Sequence, residues 1–583
     1  MKVAKPTETG RRRSLRKRNA EVFSRTKPLA RTPVPCSLYF PLLAFAPIPP
    51  SSPCSMPAQP TLINGQWCPA AADAPTFSPV NPGTGETLGE TYPISSAVEI
   101  NAMLDAGAVA APALHSLPRS KIADFLNGYA DAIENAAAEL AAIAAIETGL
   151  PVAPRLQAVE IPRTFGQLRQ AAAAALDDSW TQPVIDTTNN LRSRLESLGK
   201  PVLVIGPNNF PFAFNGIAGG DFAAAIATGH PVIAKAHPAH PGTSKRLAEL
   251  ALAAATAAGL PAATVQLFYH MDAAVAATLC SDTRLGAIGF TGSEVTGRKI
   301  KAAADAVGIP AYLEMSSINP VAFLPGAMRE KATALADEFS GSCLLGVGQF
   351  CTNPGLVLTI AGEPTEVFIA QAAQGFAAAP SGVMLTPALP AHLEVGVAHL
   401  EKHGAQVLAR GIEATEPGAR GRPALLRISG AKFRENPDGC QSEMFGPASL
   451  IVVAADEDEL AAVATQLHAS LTCSFYTASD GSDDAAYDRL LPLIAQKSGR
   501  ILNDKMPTGV AVSPAMMHGG PFPAGGHPGF TSVGIPASLR RFGALKCYDN
   551  VRAHRLPGSL QDKNPTGKLW RMIDGEWTQA SIG

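Results

Sequence analysis

Lys200-Pro201-Val202-Leu203-Val204-Ile205-Gly206-Pro207-Asn208-Asn209-Phe210-Pro211 is the stretch from which the fold is read. A short apolar run stops at a Gly/Pro/Asn cluster, and similar runs recur at Val232 to Ala234, Val265 to Phe268 and Ala287 to Phe290, with helical stretches between them. That alternation predicts βαβ units and a parallel sheet buried on both faces, an α/β fold. Ligands of such a sheet bind beyond the carboxyl ends of its strands. No GxGxxG follows the first strand, so an ordinary dinucleotide fingerprint is absent. In its place Phe290-Thr291-Gly292-Ser293-Glu294-Val295-Thr296-Gly297 follows a strand and opens a helix. A glycine and a hydroxyl there can hold a pyrophosphate through free N–H groups and the helix dipole, or can simply cap the helix.

Upstream, Leu62-Ile63-Asn64-Gly65-Gln66-Trp67 reads as a hairpin turning at Asn-Gly, and Ser96 with Glu99 forms a capping box. Ile122, Phe125, Leu126, Tyr129 and Ile133 fall on one helical face, and the helical pattern continues to Glu147 before Gly149 and Pro151 stop it. Ile161-Pro162-Arg163-Thr164-Phe165-Gly166-Gln167-Leu168-Arg169 follows, then a polar segment from Thr181 to Gly199 that reads as an extended arm. Downstream, a second α/β region runs from Val321 to about Leu502. A Gly/Pro loop, Met517-His518-Gly519-Gly520-Pro521-Phe522-Pro523, leads through Thr531-Ser532-Val533-Gly534 into a tail ending near Trp570. No internal repeat is evident.

A chain of 583 residues is long enough for two or three domains with sizeable cores. The formal net charge of −2 hides an asymmetry: the first 31 residues carry eleven Lys/Arg against two Glu, which leaves −11 on the remainder. The acidic body offers no electrostatic footprint for nucleic acid. Nine cysteines lie scattered without CxxC or Cys/His clusters, which suits a reducing compartment, the cytoplasm, better than a disulfide framework or a metal site. No apolar run reads as long enough to span a bilayer. Arg11 to Arg18 followed by Leu38 to Ile48 imitates an export signal poorly, because Pro41 interrupts the apolar part and Pro47 sits where a peptidase needs flexibility. Residues 1–55 are therefore expected to be a disordered basic and Pro-rich extension, with Met56 the working start.

Chemistry enters with Gly346-Val347-Gly348-Gln349-Phe350-Cys351-Thr352-Asn353-Pro354-Gly355. Cys351 has no second cysteine at metal or redox spacing, so any chemistry it has is that of a single thiolate. Taken alone it reads as a buried, inert cysteine. Its company is Leu313-Glu314-Met315-Ser316-Ser317-Ile318-Asn319-Pro320 and Gly206-Pro207-Asn208-Asn209-Phe210-Pro211. Together, in that order, the three segments resemble the aldehyde dehydrogenase superfamily from about Met56 to near the C-terminus. The resemblance implies a Rossmann-type cofactor domain (56–180 and 200–315), an α/β catalytic domain (316–510), and an oligomerisation arm and tail (181–199 and 530–575) that would make a homodimer or homotetramer.

By that resemblance Cys351 attacks the aldehyde, the Asn209 side-chain amide and the Cys351 backbone N–H hold the oxyanion, and Glu314 activates the hydrolytic water. The matching cofactor positions are Lys235, Gly292 and Ser293 at the phosphates, and Glu443 with Phe445 beside the nicotinamide ribose. The family often has Glu three residues after the lysine, where it binds the adenine ribose diol; here Pro238 stands there, which removes a barrier to NADP and favours it over NAD. Asn208 before the oxyanion Asn, and Ser316-Ser317 after the base, resemble the subgroup of α-ketoglutaric semialdehyde dehydrogenases and the fatty aldehyde dehydrogenases of luminous bacteria. The segments around Arg163, Lys235 and His518 resemble the semialdehyde enzymes.

The expected reaction is 2,5-dioxopentanoate to 2-oxoglutarate, with a long-chain or other aliphatic aldehyde as the competing substrate and a catalytically silent cofactor-binding protein as the non-enzyme alternative. Glu314 disfavours acyl transfer to coenzyme A. An anionic substrate needs a guanidinium, for which Arg163 is the first candidate, although a helix-to-helix ion pair would explain it equally. Arg169 reads as a structural ion pair.

Overall fold

The structure is a computed structural model that describes residues 57–583. The expectations for residues 1–55 lie outside the described residues. In the first seven-stranded sheet the order is 311–314, 287–291, 202–205, 232–235, 265–268, 61–63, 66–68. The first five strands run parallel, and the 61–68 hairpin closes the edge antiparallel. Strand alternation puts Val202, Val204, Val232 and Ala234 in a core with Phe125, Leu126 and Phe222. Leu203, Ile233 and Ile288 face the other way, onto Ile100, Met103 and Leu104. The strand 202–205 lies between 232–235 and 287–291, so the chain order switches on either side of it, and a crevice opens at its carboxyl end.

The hairpin turns at Asn64 and Gly65, with φ of +48° and +75°. Ser96 and Glu99 make the expected capping box. The helical pattern expected to run on to Glu147 is two helices, Arg119–Asn135 and Ala137–Thr148, broken at Ala136 and ended by left-handed Gly149. Ala136 has no helix-breaking side chain, so sequence pattern carried no sign of the break. By length and composition alone the helix Ala97–Ser116 could cross a membrane. Its Ile100, Met103 and Leu104 pack on the first sheet.

The second seven-stranded sheet has the order 406–410, 424–429, 448–454, 356–360, 320–323, 470–476, 498–503, all parallel except the first pair. It too is covered on both faces, Ala322, Leu358 and Val452 on one and Val321, Phe323 and Ile451 on the other. A five-stranded sheet joins 543–549, 191–197, 184–186, 571–573 and 576–578, so the polar segment and the tail meet. The tail runs past Trp570: Asp574 and Gly575, at φ +50° and +91°, turn a final hairpin that sequence reading left out.

The Gly/Pro loop is stitched to the end of strand 311–314. Met315 N donates to Ala524 O at 2.8 Å and Gly526 N to Leu313 O at 2.7 Å. This holds the loop against the carboxyl end of that strand, where Glu314 lies.

Candidate active site

Cys351 follows a helix, Pro325–Leu344, and a turn in which Gly346, Val347 and Gly348 have φ of +56°, +58° and +66°. A β-branched residue in the left-handed region costs about 1–3 kcal/mol, so the surroundings must impose it. Glycine is obligatory at 348, where a Cβ would lie 2.1 Å from Gly446 O. Beyond the turn, buried Asn319 donates from Nδ2 to Cys351 O and to Asn353 O, both at 2.9 Å. The nucleophile segment is thus clamped at its backbone.

Three elements converge on the thiol. Cys351 Sγ lies 3.4 Å from His518 Nε2, and Glu314 Oε1 lies 2.7 Å from the same nitrogen. Ser532 Oγ donates to Glu314 Oε2 at 2.7 Å. His518 is fixed through its backbone, donating N–H to Thr531 Oγ1 at 2.7 Å and accepting from Ser532 N at 2.9 Å. Sulfur, imidazole and carboxylate lie within 4.8 Å of one another, a donor set suited to a metal that sequence spacing did not suggest. The 2.7 Å contact between Nε2 and Oε1 leaves no room for an ion between those two atoms.

Burial pushes the Cys351 thiol well above its ordinary range, and the Glu314 charge adds to this against the opposing effect of Arg163. Burial also works to raise Glu314, but the His518 charge and hydrogen bonds from His518, Ser532 and Cys351 outweigh it and hold the carboxyl below its usual value. At neutral pH the pair is therefore a thiol beside a carboxylate, a protonated nucleophile next to an ionised base.

Asn209 is buried after the first strand of the parallel sheet. Its Nδ2 donates to Gln349 O at 3.0 Å, and its carbonyl accepts from Arg155 Nη2 at 2.9 Å. Arg155 Nη1 pairs with Glu160 Oε2 at 2.6 Å, while Glu160 Oε1 accepts from Phe212 N at 2.8 Å and Ala213 N at 3.1 Å. The π-helical stretch Val152–Glu160 that supplies this brace has no sequence signature.

A cavity of 1020 Å³ opens at the strand switch, and Asn209, Glu314, Cys351, Lys235, Gly292, Ser293, Glu443 and Phe445 all line it. Every expected site residue except Arg163 meets there. Lys235 is held by Ala236 O at 3.1 Å, and burial brings its ammonium down to about 8; among the described residues it has no acidic partner. Ser293 caps the helix Glu294–Asp305 through Thr296 N, and so takes the capping role while facing the cavity. The Gly292 N–H offered to a phosphate is already spent on Glu314 O at 3.1 Å, because the strand pairing Thr291 with Glu314 continues one step further. Glu443 is pushed up to about 7 by burial, against hydrogen bonds from the Ser316 side chain and the Ser317 backbone. A cavity of this size with an unpaired ammonium and a helix N-terminus fits a dinucleotide.

Arg163 lies on the helix Ile161–Leu176, with its guanidinium carbon 5.1 Å from the Phe214 ring centre and 5.6 Å from that of Phe210. Its Nε and Nη2 are buried without a partner, and no carboxylate among the described residues pairs with it, so the helix-to-helix ion pair is not formed there. Arg169 makes the structural ion pair expected of it, 2.7 Å from Asp131 and 2.5 Å from Glu134. Sequence alone does not mark His518 or Ser532 as site residues: the His518 loop carries only a resemblance to the semialdehyde enzymes, and Ser532 lies in the tail expected to serve subunit pairing.

Residues 67–491 match the model of the aldehyde dehydrogenase family. The chain belongs to that family. It is an NAD(P)-dependent aldehyde dehydrogenase. The dehydrogenase is 39% identical over 518 residues to α-ketoglutaric semialdehyde dehydrogenase 2 of Azospirillum brasilense, covering 87% of this chain and 97% of that protein. It is 34% identical over 528 residues to the α-ketoglutaric semialdehyde dehydrogenase of Acinetobacter baylyi, covering 89% and 98%. Among solved structures, PnpE from Pseudomonas sp. WBC-3 shares the fold with a TM-score of 0.72 at 20% identity, over 86% of this chain and 99% of that one.

Proposed function

We propose that the dehydrogenase oxidises 2,5-dioxopentanoate to 2-oxoglutarate with NADP through a Cys351 thioester. The observation that carries the chemistry is the meeting of Cys351, Glu314 and His518 around one ring nitrogen. Cys351 Sγ bonds the aldehyde carbon while its proton passes to the ionised Glu314, and the Asn209 amide receives the oxyanion. The nicotinamide, when bound, accepts a hydride. Glu314 gives the thiol's proton up to solvent, then takes a proton from water as the water oxygen bonds the acyl carbon and the carbon–sulfur bond breaks, and returns it to the departing sulfur. The outcome is one carboxylate, one hydride transferred, two protons released and a regenerated thiol. Ser532 keeps Glu314 aimed, and Arg155 with Glu160 keeps Asn209 aimed.

The substrate reading is supported by the two α-ketoglutaric semialdehyde dehydrogenases named above, similar over nearly their whole lengths, and by Arg163, whose guanidinium lies over Phe210 and Phe214 with buried nitrogens that have no partner. The NADP reading is supported by Pro238 in the cavity wall and by Lys235, His237 and Lys299 in the same wall, where Asp272 is engaged in capping the helix Ala273–Cys280. We assign the first sheet to cofactor binding, the second to the nucleophile and the five-stranded sheet to pairing of subunits as a dimer or tetramer. Seven free cysteines among the described residues support a cytoplasmic setting. The deciding measurement is kcat/KM for 2,5-dioxopentanoate, glutarate semialdehyde and a long-chain aldehyde, each with NAD and NADP. Preference for the long-chain aldehyde overturns the substrate; preference for NAD overturns the cofactor.

A further inference from the structure

Three guanidiniums flank an aromatic cluster next to Cys351, and they differ in one respect. Phe210, Phe214 and Val533 form the cluster, with Phe350, the chain neighbour of Cys351, and Val510 and Met516 packed against them. Arg155 lies over Phe210 and Phe350 and is neutralised by Glu160 at 2.6 Å. Arg163 lies over Phe214 and Phe210 with no carboxylate partner among the described residues. Arg500, from strand 498–503, also has none among them. Its Nη2 donates to Pro507 O at 2.7 Å, its Nη1 reaches Gly509 O at 3.2 Å and Met516 Sδ at 3.7 Å, and its buried Nε is unpartnered. Carbonyl and thioether acceptors orient a guanidinium without cancelling its charge. The cluster that both arginines flank reaches the thiol through Phe350, next to Cys351 in the chain, and through Phe214, whose ring centre lies 5.8 Å from that of His518.

Both cations are only half-buried, but each carries at least one guanidinium nitrogen that is buried without a hydrogen-bond partner against one apolar cluster, which is costly to fold unless an anion comes to meet them. A protein that only needed the loop 505–516 anchored would not require a charge to hold backbone carbonyls. We propose that Arg500 is a second specificity-determining residue, and that Arg163 and Arg500 together receive the carboxylate at the far end of the aldehyde while the phenylalanines enclose its methylene stem. The substrate class is thus a short ω-oxo carboxylate, and the carboxylate is the counter-ion this pocket lacks. Arg155, already paired, holds the oxyanion loop and takes no part in the choice. This inference rests on the reading that the enzyme takes a semialdehyde, and it adds a residue that reading did not contain.

The test uses the full chain with saturating NADP and three aldehydes: 2,5-dioxopentanoate, glutarate semialdehyde, and pentanal as the neutral analogue of similar length. Arg500→Met is expected to lower kcat/KM at least tenfold for both carboxylated aldehydes, mainly through KM, and to leave pentanal within threefold. Glutarate, which cannot react, should inhibit pentanal oxidation competitively in the wild type and weaken by a similar factor in the variant. If Arg500→Met does not fold, Arg500→Lys keeps the charge but loses the fork, and a threefold or larger fall confined to the carboxylated aldehydes is the expected result. Equal losses on all three aldehydes, or an unchanged glutarate inhibition constant, would overturn the proposal and leave Arg500 a loop anchor. A wild type that prefers glutarate semialdehyde to 2,5-dioxopentanoate would sink the named substrate while leaving the Arg500 comparison intact.

Discussion

On the cofactor side of Cys351 the functional groups sit at strand ends. Lys235 closes one strand, Thr291 and Gly292 another, and Glu314 a third, and their mutual positions follow from the spacing of adjacent parallel strands. On the aldehyde side the groups come from a π-helical stretch, a helix face, the loop 505–516 and the Gly/Pro loop that brings His518 and Ser532. One side has little freedom to vary without unravelling the sheet, whereas the other can change residue by residue. The reaction is therefore built on the stiff side and the choice of substrate on the adjustable one.

Removing the nucleophile should separate the two sides most sharply. Cys351→Ala is expected to lower turnover by ~10⁴-fold or more while NADP still binds, because the cavity wall keeps its other groups. Residual turnover measured by NADPH formation would break the assignment. Next in size is Glu314→Gln, where deacylation should slow by ~10²–10⁴-fold. A burst of about one NADPH per active site followed by a slow steady state is the signature, and mass spectrometry of the acylated Cys351 peptide checks it. No burst, with an unaltered steady state, would remove Glu314 from the second step.

His518→Asn should cost less, ~10–10²-fold, and its diagnostic is the pH profile. In the wild type the His518 charge helps hold Glu314 below the usual carboxylate range, so the base stays ionised as pH falls. Without the imidazole, burial wins and the carboxyl rises. The acid limb of kcat must then move to higher pH. A limb that stays put would mean that His518 positions the segment without tuning the base.

Legibility followed the same division. The parallel sheet, the capping box and the order of Asn209, Glu314 and Cys351 could be read because hydrophobic period, turn residues and strand-end position are local properties. His518 could be quoted but not given a role, since it reaches Cys351 across 167 positions by way of a loop whose path depends on pairing with Leu313 and Met315. Ser532 was assigned to the tail for the same reason. Arg155 and Glu160 lay in an irregular helix with no pattern to see. Gly292 was read as a free donor because the sequence does not show which carbonyl lies opposite it in the sheet. Arg163 was recognised as a candidate, but only packing shows that it has no acid to pair with.

The adenosine end of the cavity offers a smaller effect. Pro238→Glu is expected to lower kcat/KM with NADP about tenfold and to leave NAD within threefold, since a carboxylate there would face the 2′-phosphate and could accept from a ribose diol. Equal changes with both cofactors would mean that position 238 does not touch the ribose.

The smallest effect belongs to Glu443, and it tests whether even the stiff side carries an adjustable element. Burial raises its carboxyl to about 7, so its charge changes within the working range of the enzyme. Ionisation above that value makes it an acceptor for ribose hydroxyls; protonation below it spends one oxygen as a donor. NADP affinity should therefore strengthen through pH 7, by a few-fold, and Glu443→Gln should remove the inflection. Linkage fixes the opposite sign for stability. A folded-state value raised above the unfolded one stabilises the fold at pH below about 4.5, and that contribution is lost as pH rises through about 7. Cofactor affinity and cofactor-free stability should thus move in opposite directions across the same interval. Titrating binding by fluorescence and unfolding by urea at matched pH separates them, and parallel movement would place the titrating group somewhere other than Glu443.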